Sequence, residues 1–92
     1  MIKNIEAYFD KNIKLIVYVE RLKEVNTKSN NKMLFITGSD EMGKIDLVLF
    51  PTVYSGANNI FKGNILVVDG RVEKRFDKYQ IVVNKIIEQI ID

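Results

Sequence analysis

Between residues 13 and 22 apolar and polar positions alternate. Ile13, Leu15, Val17 and Val19 fall on one side, and Lys14, Ile16, Tyr18 and Glu20 on the other. That period belongs to an extended strand, and the β-branched and aromatic residues favour one. Leu22 and Val25 arrive one step out of phase, which predicts a bulge that bends the strand. NTKSNNK, residues 26–32, holds no apolar residue and reads as a loop. Two apolar runs follow, predicting strands over 33–39 and 44–50 around a turn at 39–43. Both faces of the first run carry apolar groups: Leu34, Ile36 and Gly38 on one, Met33, Phe35 and Thr37 on the other. One set fills a core. The other needs a different occupation.

Pro51 stops the sheet and suits the first turn of a helix. Val53, Ala57 and Ile60 share one side at helical spacing within 51–61, flanked by Tyr54 and Phe61. Gly56 and the asparagines at 58 and 59 predict that this helix is short, with Lys62-Gly63-Asn64 as its C-cap. ILVVDGRVE, 65–73, predicts a fourth strand in which Gly70 marks a bend or a close approach. The turn 74–78 leads to a fifth strand over 79–85, and the apolar tail IIEQIID packs as a last half-helix. At the other end, Ile2, Ile5 and Phe9 predict a short amphipathic helix or a packed tail. The chain thus divides into an N-terminal extension (1–12), one folded unit (13–88) and a C-terminal tail (89–92).

The predicted class is all-β with one connecting helix, in the order βββ-α-ββ. Five short strands with a helix between the third and fourth is the order of the oligonucleotide-binding (OB) fold, a small Greek-key barrel. A long, bulged first strand fits, since it serves both halves of the barrel. An SH3-like barrel is the competitor, and the helix separates the two. One face of each strand supplies the interior: Ile13, Leu15, Val17, Val19, Leu34, Ile36, Ile45, Leu47, Leu49, Leu66, Val68, Val72, Ile81 and Val83.

Composition narrows the chemistry. The 92 residues include no cysteine and no histidine, which excludes disulfides, thiolate metal sites and every histidine-dependent triad. The lack of cysteine suits a reducing cytoplasm. A net charge of +2 is too small to identify an anionic partner, so the placement of charge decides. No apolar stretch reaches the ~20 residues of a membrane span, and no signal-peptide pattern opens the chain. Asp40 and Glu41 read as hairpin turn residues. No cofactor, metal or catalytic constellation is expected.

TKSNNKMLFIT, DEMGKIDLVLFPTVY and KGNILVVDGRVEKR, in this order and spacing, resemble the OB domain near the C-terminus of the bacterial replicative DNA polymerase III alpha subunit. The resemblance covers about residues 13–88. Its most specific pieces are Phe50-Pro51 followed by Tyr54, and Gly70-Arg71-Val72-Glu73 after an apolar strand. The chain departs from that pattern at Val17, where the family often has glycine, and at Gly38, where it usually has leucine. Ser29-Asn30-Asn31 replaces a lysine-glycine loop tip. The resemblance implies an excised module whose parent's catalytic carboxylates lie elsewhere. It also implies that the module holds single-stranded template near the polymerase, with other replisome proteins and the flanking domains of the parent chain as further partners.

Strands two and three form the exposed ligand sheet of this fold, flanked by the loops after strands one and four. Met33, Phe35 and Thr37 are therefore expected to face outward beneath a strand of bases. Similar anticodon-binding domains of class II synthetases carry a stacking phenylalanine at the place of Phe35. Tyr18 is a candidate second platform, and Lys14 and Lys44 are candidate phosphate contacts. The 74–79 stretch, KRFDKY, interleaves Lys74, Arg75 and Lys78 with Phe76 and Tyr79, the composition of a single-strand groove. The first loop adds Lys28 and Lys32. Asp46, Glu73 and Asp77 weaken the positive potential. Two other readings share the fold. In a protein-interaction module, Met33, Phe35, Ile16 and Val48 would form the interface. In an anticodon-binding domain, polar groups such as Asp46 would read bases beside the platform.

Overall fold

The computed structural model describes residues 2–57 and 59–91, with side chains from residue 4 onward. Expectations for the side chain of Ile2, for Asn58 and for Asp92 fall outside that description. Five strands form: β1 (Asn12–Asn26), β2 (Lys32–Asp40), β3 (Gly43–Leu49), β4 (Ile65–Arg75) and β5 (Lys78–Ile90), with a single-turn helix α1 (Pro51–Tyr54) after β3. They close into a barrel in the order β1-β2-β3-β5-β4. Neighbouring strands are antiparallel except β3 and β5, whose parallel pairing of Asp46–Val48 with Gln80–Val82 closes the ring.

The length of β1 has a cause. Its first half, Asn12–Tyr18, pairs with β4, and its second half, Tyr18–Asn26, pairs with β2. A register shift between Val19 and Arg21 lets one strand serve both. The bulge residue Glu20 turns its carboxylate to Ser39, whose hydroxyl donates a 2.6 Å hydrogen bond to it. All fourteen residues assigned to the interior are buried. Even so, the parity of β1 outside the barrel changes at the bulge: Tyr18 faces outward before it, and Arg21 and Lys23 after it.

Val17 and Gly38, the departures from the family pattern, touch each other. A Cβ on Gly38 would lie 3.0 Å from the Val17 Cβ and 2.8 Å from a Leu47 methyl. Val17 takes the space that a side chain at 38 would need, which keeps the packing dense with glycine there.

The N-terminal segment is a 3₁₀ stretch, Ile2–Tyr8, broken at Asn4. Ile5 is buried and joins the core cluster. The Asp10 amide donates to the Val72 carbonyl, and the Val72 amide donates to Lys11. The Arg71 guanidinium bonds the Asp10 carboxylate on the surface. The extension is thereby held against β4.

Several expectations need correction. The segment 62–64 does not cap a helix, because α1 ends at Tyr54. Instead the Gly63 amide donates to the Val19 carbonyl, and the Val19 amide donates to Asn64, which leads the chain into β4. Gly63 sits at φ +96, where glycine is favoured. The tail is not a half-helix; β5 runs through Ile90, which pairs with Ile65. Val48 is not exposed. It is 3% accessible, seated on the outer face between Phe35 of β2 and Val82 of β5.

Candidate nucleic-acid interface

The outer face of the barrel can be read in rows from the strand register. Phe35 lies opposite Lys23 on one side and Val48 on the other. The next row runs from Arg21 through Thr37 and Asp46 to Gln80. The β4–β5 hairpin rises beside these rows. The groove so formed is lined by Arg21, Lys23, Phe35, Asp46, Arg75 and Phe76, with Thr37, Lys78, Tyr79 and Gln80 among its other walls. It encloses about 450 Å³, within the range of clefts that accept a small ligand. Among the described residues, Arg21, Lys23, Arg75 and Lys78 form no ion pair. Their charge stays available to an incoming anion, with Asp46 as the opposing carboxylate.

The hairpin tip is unusual. Phe76 has a positive φ of 56 and is 89% exposed. A bulky residue in that backbone region is a genuine outlier, and the ring makes no core contact that offsets the strain. The Arg75 guanidinium lies 5.8 Å from the centre of its ring, so cation and aromatic face are presented together. Phe76→Gly is expected to leave the melting temperature unchanged or raise it, since relief of strain of order 1 kcal/mol offsets the added chain entropy. Thermal denaturation checks this, and a clear loss of stability would show that the ring packs.

The structure brings Phe35, Arg75, Phe76, Lys78 and Tyr79 together. Lys44 lies next to them, lining an adjoining hollow with Arg21 and Thr37. Tyr79 is partly committed: its ring and that of Phe9 pack edge-to-face with centres 6.2 Å apart, and the Lys74 ammonium lies 5.5 Å from its ring centre. Lys74 is thus placed over Tyr79 and does not line the groove. Tyr18 stands between Ser39 and Ile65, before the bulge. Met33 pairs with Val25 and sits farther along β2. Neither lines the groove. Lys28 is exposed on the β1–β2 loop.

Lys32 belongs to a separate groove against α1, with Asn30, Asn31, Thr52, Tyr54 and Ser55. Its ammonium is 3.5 Å from the Glu24 carboxylate. The Tyr54 hydroxyl donates to the same carboxylate at 2.6 Å. That hydrogen bond, with Lys32 beside it, holds the Glu24 carboxyl below its ordinary range, and it pushes the Tyr54 phenol above its own. Here the cation and the phenol are already engaged.

Arg21, Lys23 and Gln80 escaped the sequence reading. Counting by two from Tyr18 places 20, 22 and 24 outside, and the bulge reverses this. The phase slip at Leu22 and Val25 was the available signal.

Three comparisons place the chain among known proteins. The DNA polymerase III subunit alpha of Bacillus subtilis (strain 168) is 31% identical over 74 residues, 79% of this chain and 7% of that protein. The subunit of the same name from Borreliella burgdorferi is 40% identical over 68 residues, 72% of this chain and 6% of that protein. The chain therefore spans less than a tenth of the length of these relatives. The solution structure of the second OB-fold domain of replication protein A from Methanococcus maripaludis superposes with a TM-score of 0.65 over 91% of both chains at 22% identity, a likeness of fold. The tRNA anti-codon family profile, described as an OB-fold nucleic acid binding domain, matches residues 5–88. With its closed barrel and the helix after β3, this chain belongs to that OB-fold nucleic acid binding family.

Proposed function

We propose that the chain is a non-catalytic module that binds single-stranded DNA, holding a template strand by base stacking and phosphate contacts beside a replicative polymerase. The observation that carries this reading is one groove in which Phe35 and Phe76 stand among Arg21, Lys23, Arg75 and Lys78, with none of these cations in an ion pair among the described residues. Aromatic faces accept any base, and cations track the backbone. The strained, solvent-exposed Phe76 supports the same reading, because strain without a packing return points to use.

The similarity to DNA polymerase III alpha subunits supports DNA as the nucleic acid and a cytoplasmic setting. Among the described residues, no group of acidic side chains is placed to hold a metal ion. Nor is any helix among them long and apolar enough to cross a membrane. Replisome proteins and flanking domains of a longer parent are further partners under this reading. One observation favours a protein contact elsewhere: Ile16 is 61% exposed and Ile90 41%, on the outer face of β1, β4 and β5 where Ile65 and Val67 lie between them.

Fluorescence anisotropy with labelled oligonucleotides tests the proposal. Single strands are expected to bind more tightly than duplex, with affinity falling by about 0.7 log units per decade of salt for each phosphate neutralised. Absence of binding at low salt and high protein concentration would overturn it.

A further inference from the structure

The carboxylate of Asp46 lies where a phosphate groove gains nothing from a negative charge. It is exposed in the groove that holds Arg21, Lys23, Arg75 and Lys78, and among the described residues it makes no hydrogen bond and no ion pair.

Its register does suggest a use. Asp46 pairs with Thr37 on one side and Gln80 on the other. Phe35 pairs with Val48, one row away. The two are diagonal neighbours, a relation that places Cβ atoms about 7–8 Å apart. A base lying on the Phe35 ring would extend its edge across that gap toward Asp46, with Thr37 and Gln80 to either side. We propose that Asp46 reads the Watson–Crick edge of the base stacked on Phe35 and selects guanine. This rests on the single-strand reading above.

The chemistry singles out one base. An ionised carboxylate only accepts hydrogen bonds, through two oxygens held side by side. Guanine alone offers two adjacent donors on that edge, N1–H and the N2 amino group, and so takes the carboxylate in a bidentate pair. Its O6 remains for a donor, which the Gln80 amide or the Thr37 hydroxyl supplies. Cytosine and adenine each offer one amino group beside an acceptor. Thymine places acceptors on both sides of its single donor, and a carboxylate repels both.

The test compares three twelve-nucleotide strands in a lithium buffer that suppresses guanine quadruplexes: alternating thymine–guanine, alternating thymine–hypoxanthine, and all thymine. Hypoxanthine keeps the stacking area and the charge of guanine and lacks only the N2 amino group. The wild-type chain is expected to bind the guanine strand about tenfold more tightly than the hypoxanthine strand, the scale of one good bidentate pair. Asp46→Asn is expected to bring the two within about twofold, because the guanine strand loses its bidentate pair while the hypoxanthine strand gains from a negative charge leaving a phosphate groove. The ratio is the readout, and the exposed position leaves folding undisturbed. Equal wild-type affinity for the guanine and hypoxanthine strands, with the thymine strand still bound, would overturn the base-reading role and leave single-strand binding intact. A ratio unchanged in Asp46→Asn would assign the preference to another group and overturn it too. Failure to bind any of the three strands would overturn both readings together.

Discussion

Replacing Gly70 with alanine is expected to cost about 2–3 kcal/mol, the upper part of the range for overpacking a dense interior. An added Cβ would fall 2.4 Å from the Ile81 Cγ2 methyl and 2.9 Å from the Val82 carbonyl oxygen. Neither neighbour can yield cheaply. Ile81 is fully buried and branched at Cβ, so its methyl has no free rotamer to take. The Val82 carbonyl is fixed in β5, where Val82 pairs with both Val48 and Arg71. The strand must therefore move, at the place where β5 joins β3 to close the barrel. For a domain of this size, 1 kcal/mol corresponds to about 4–8 °C in Tm, so a fall of about 10–20 °C is expected by far-UV circular dichroism. Gly56→Ala is the control. Its new Cβ meets nothing nearer than a carbonyl oxygen at 3.8 Å, and stiffening the unfolded chain is expected to leave stability unchanged or raise it by about 0.5 kcal/mol. A Gly70→Ala chain that melts within a few degrees of wild type would show that the barrel seam adapts freely.

How far the fold can be read from the sequence depends on which forces set each part. The strand interiors were legible because burial imposes a period of two, and Ile13, Leu15, Val17 and Val19 keep it without interruption. The tail was not, because β5 carries register shifts where it pairs with Val67–Gly70. They leave Val83, Ile86 and Gln89 as its less exposed positions, spaced by three like one side of a helix. The pattern looked helical because the partner strand was out of sight. The same limit hid Arg21 and Lys23. A bulge is visible in the sequence as a slip in phase, but the slip shows only at Leu22 and Val25, whereas the register shift falls between Val19 and Arg21. Val48 was legible in direction and not in exposure, since parity says which way a side chain points, while Phe35 and Val82 decide what covers it. The candidate groove was legible in its aromatic residues and its hairpin cations. Its remaining wall was set by tertiary pairing.

Phe35→Ala carries the largest expected effect on nucleic-acid binding. A stacking platform contributes about 1–3 kcal/mol per base when truncated to alanine, so affinity for a single strand is expected to fall between about tenfold and a hundredfold. The ring is half-buried, with Val48 beside it, so truncation also uncovers an apolar neighbour. Phe35→Leu separates the two roles, because leucine keeps most of the cover and has no π face. Both variants are expected to lose affinity for single-stranded DNA, and Leu is expected to lose far less stability. Neither removes a charge, so the dependence of binding on salt should keep its slope. Arg75→Gln makes the converse change: a modest loss of affinity, with the slope shallower by about 0.7 for the one phosphate contact removed. If Phe35→Leu bound like wild type, the ring would be a cover for Val48 and the bases would lie elsewhere. If Phe35→Ala lost a protein partner and kept its oligonucleotide, this face of the barrel would be a protein interface. Affinity and salt slope, measured together on these three variants, thus resolve stacking from charge at one groove.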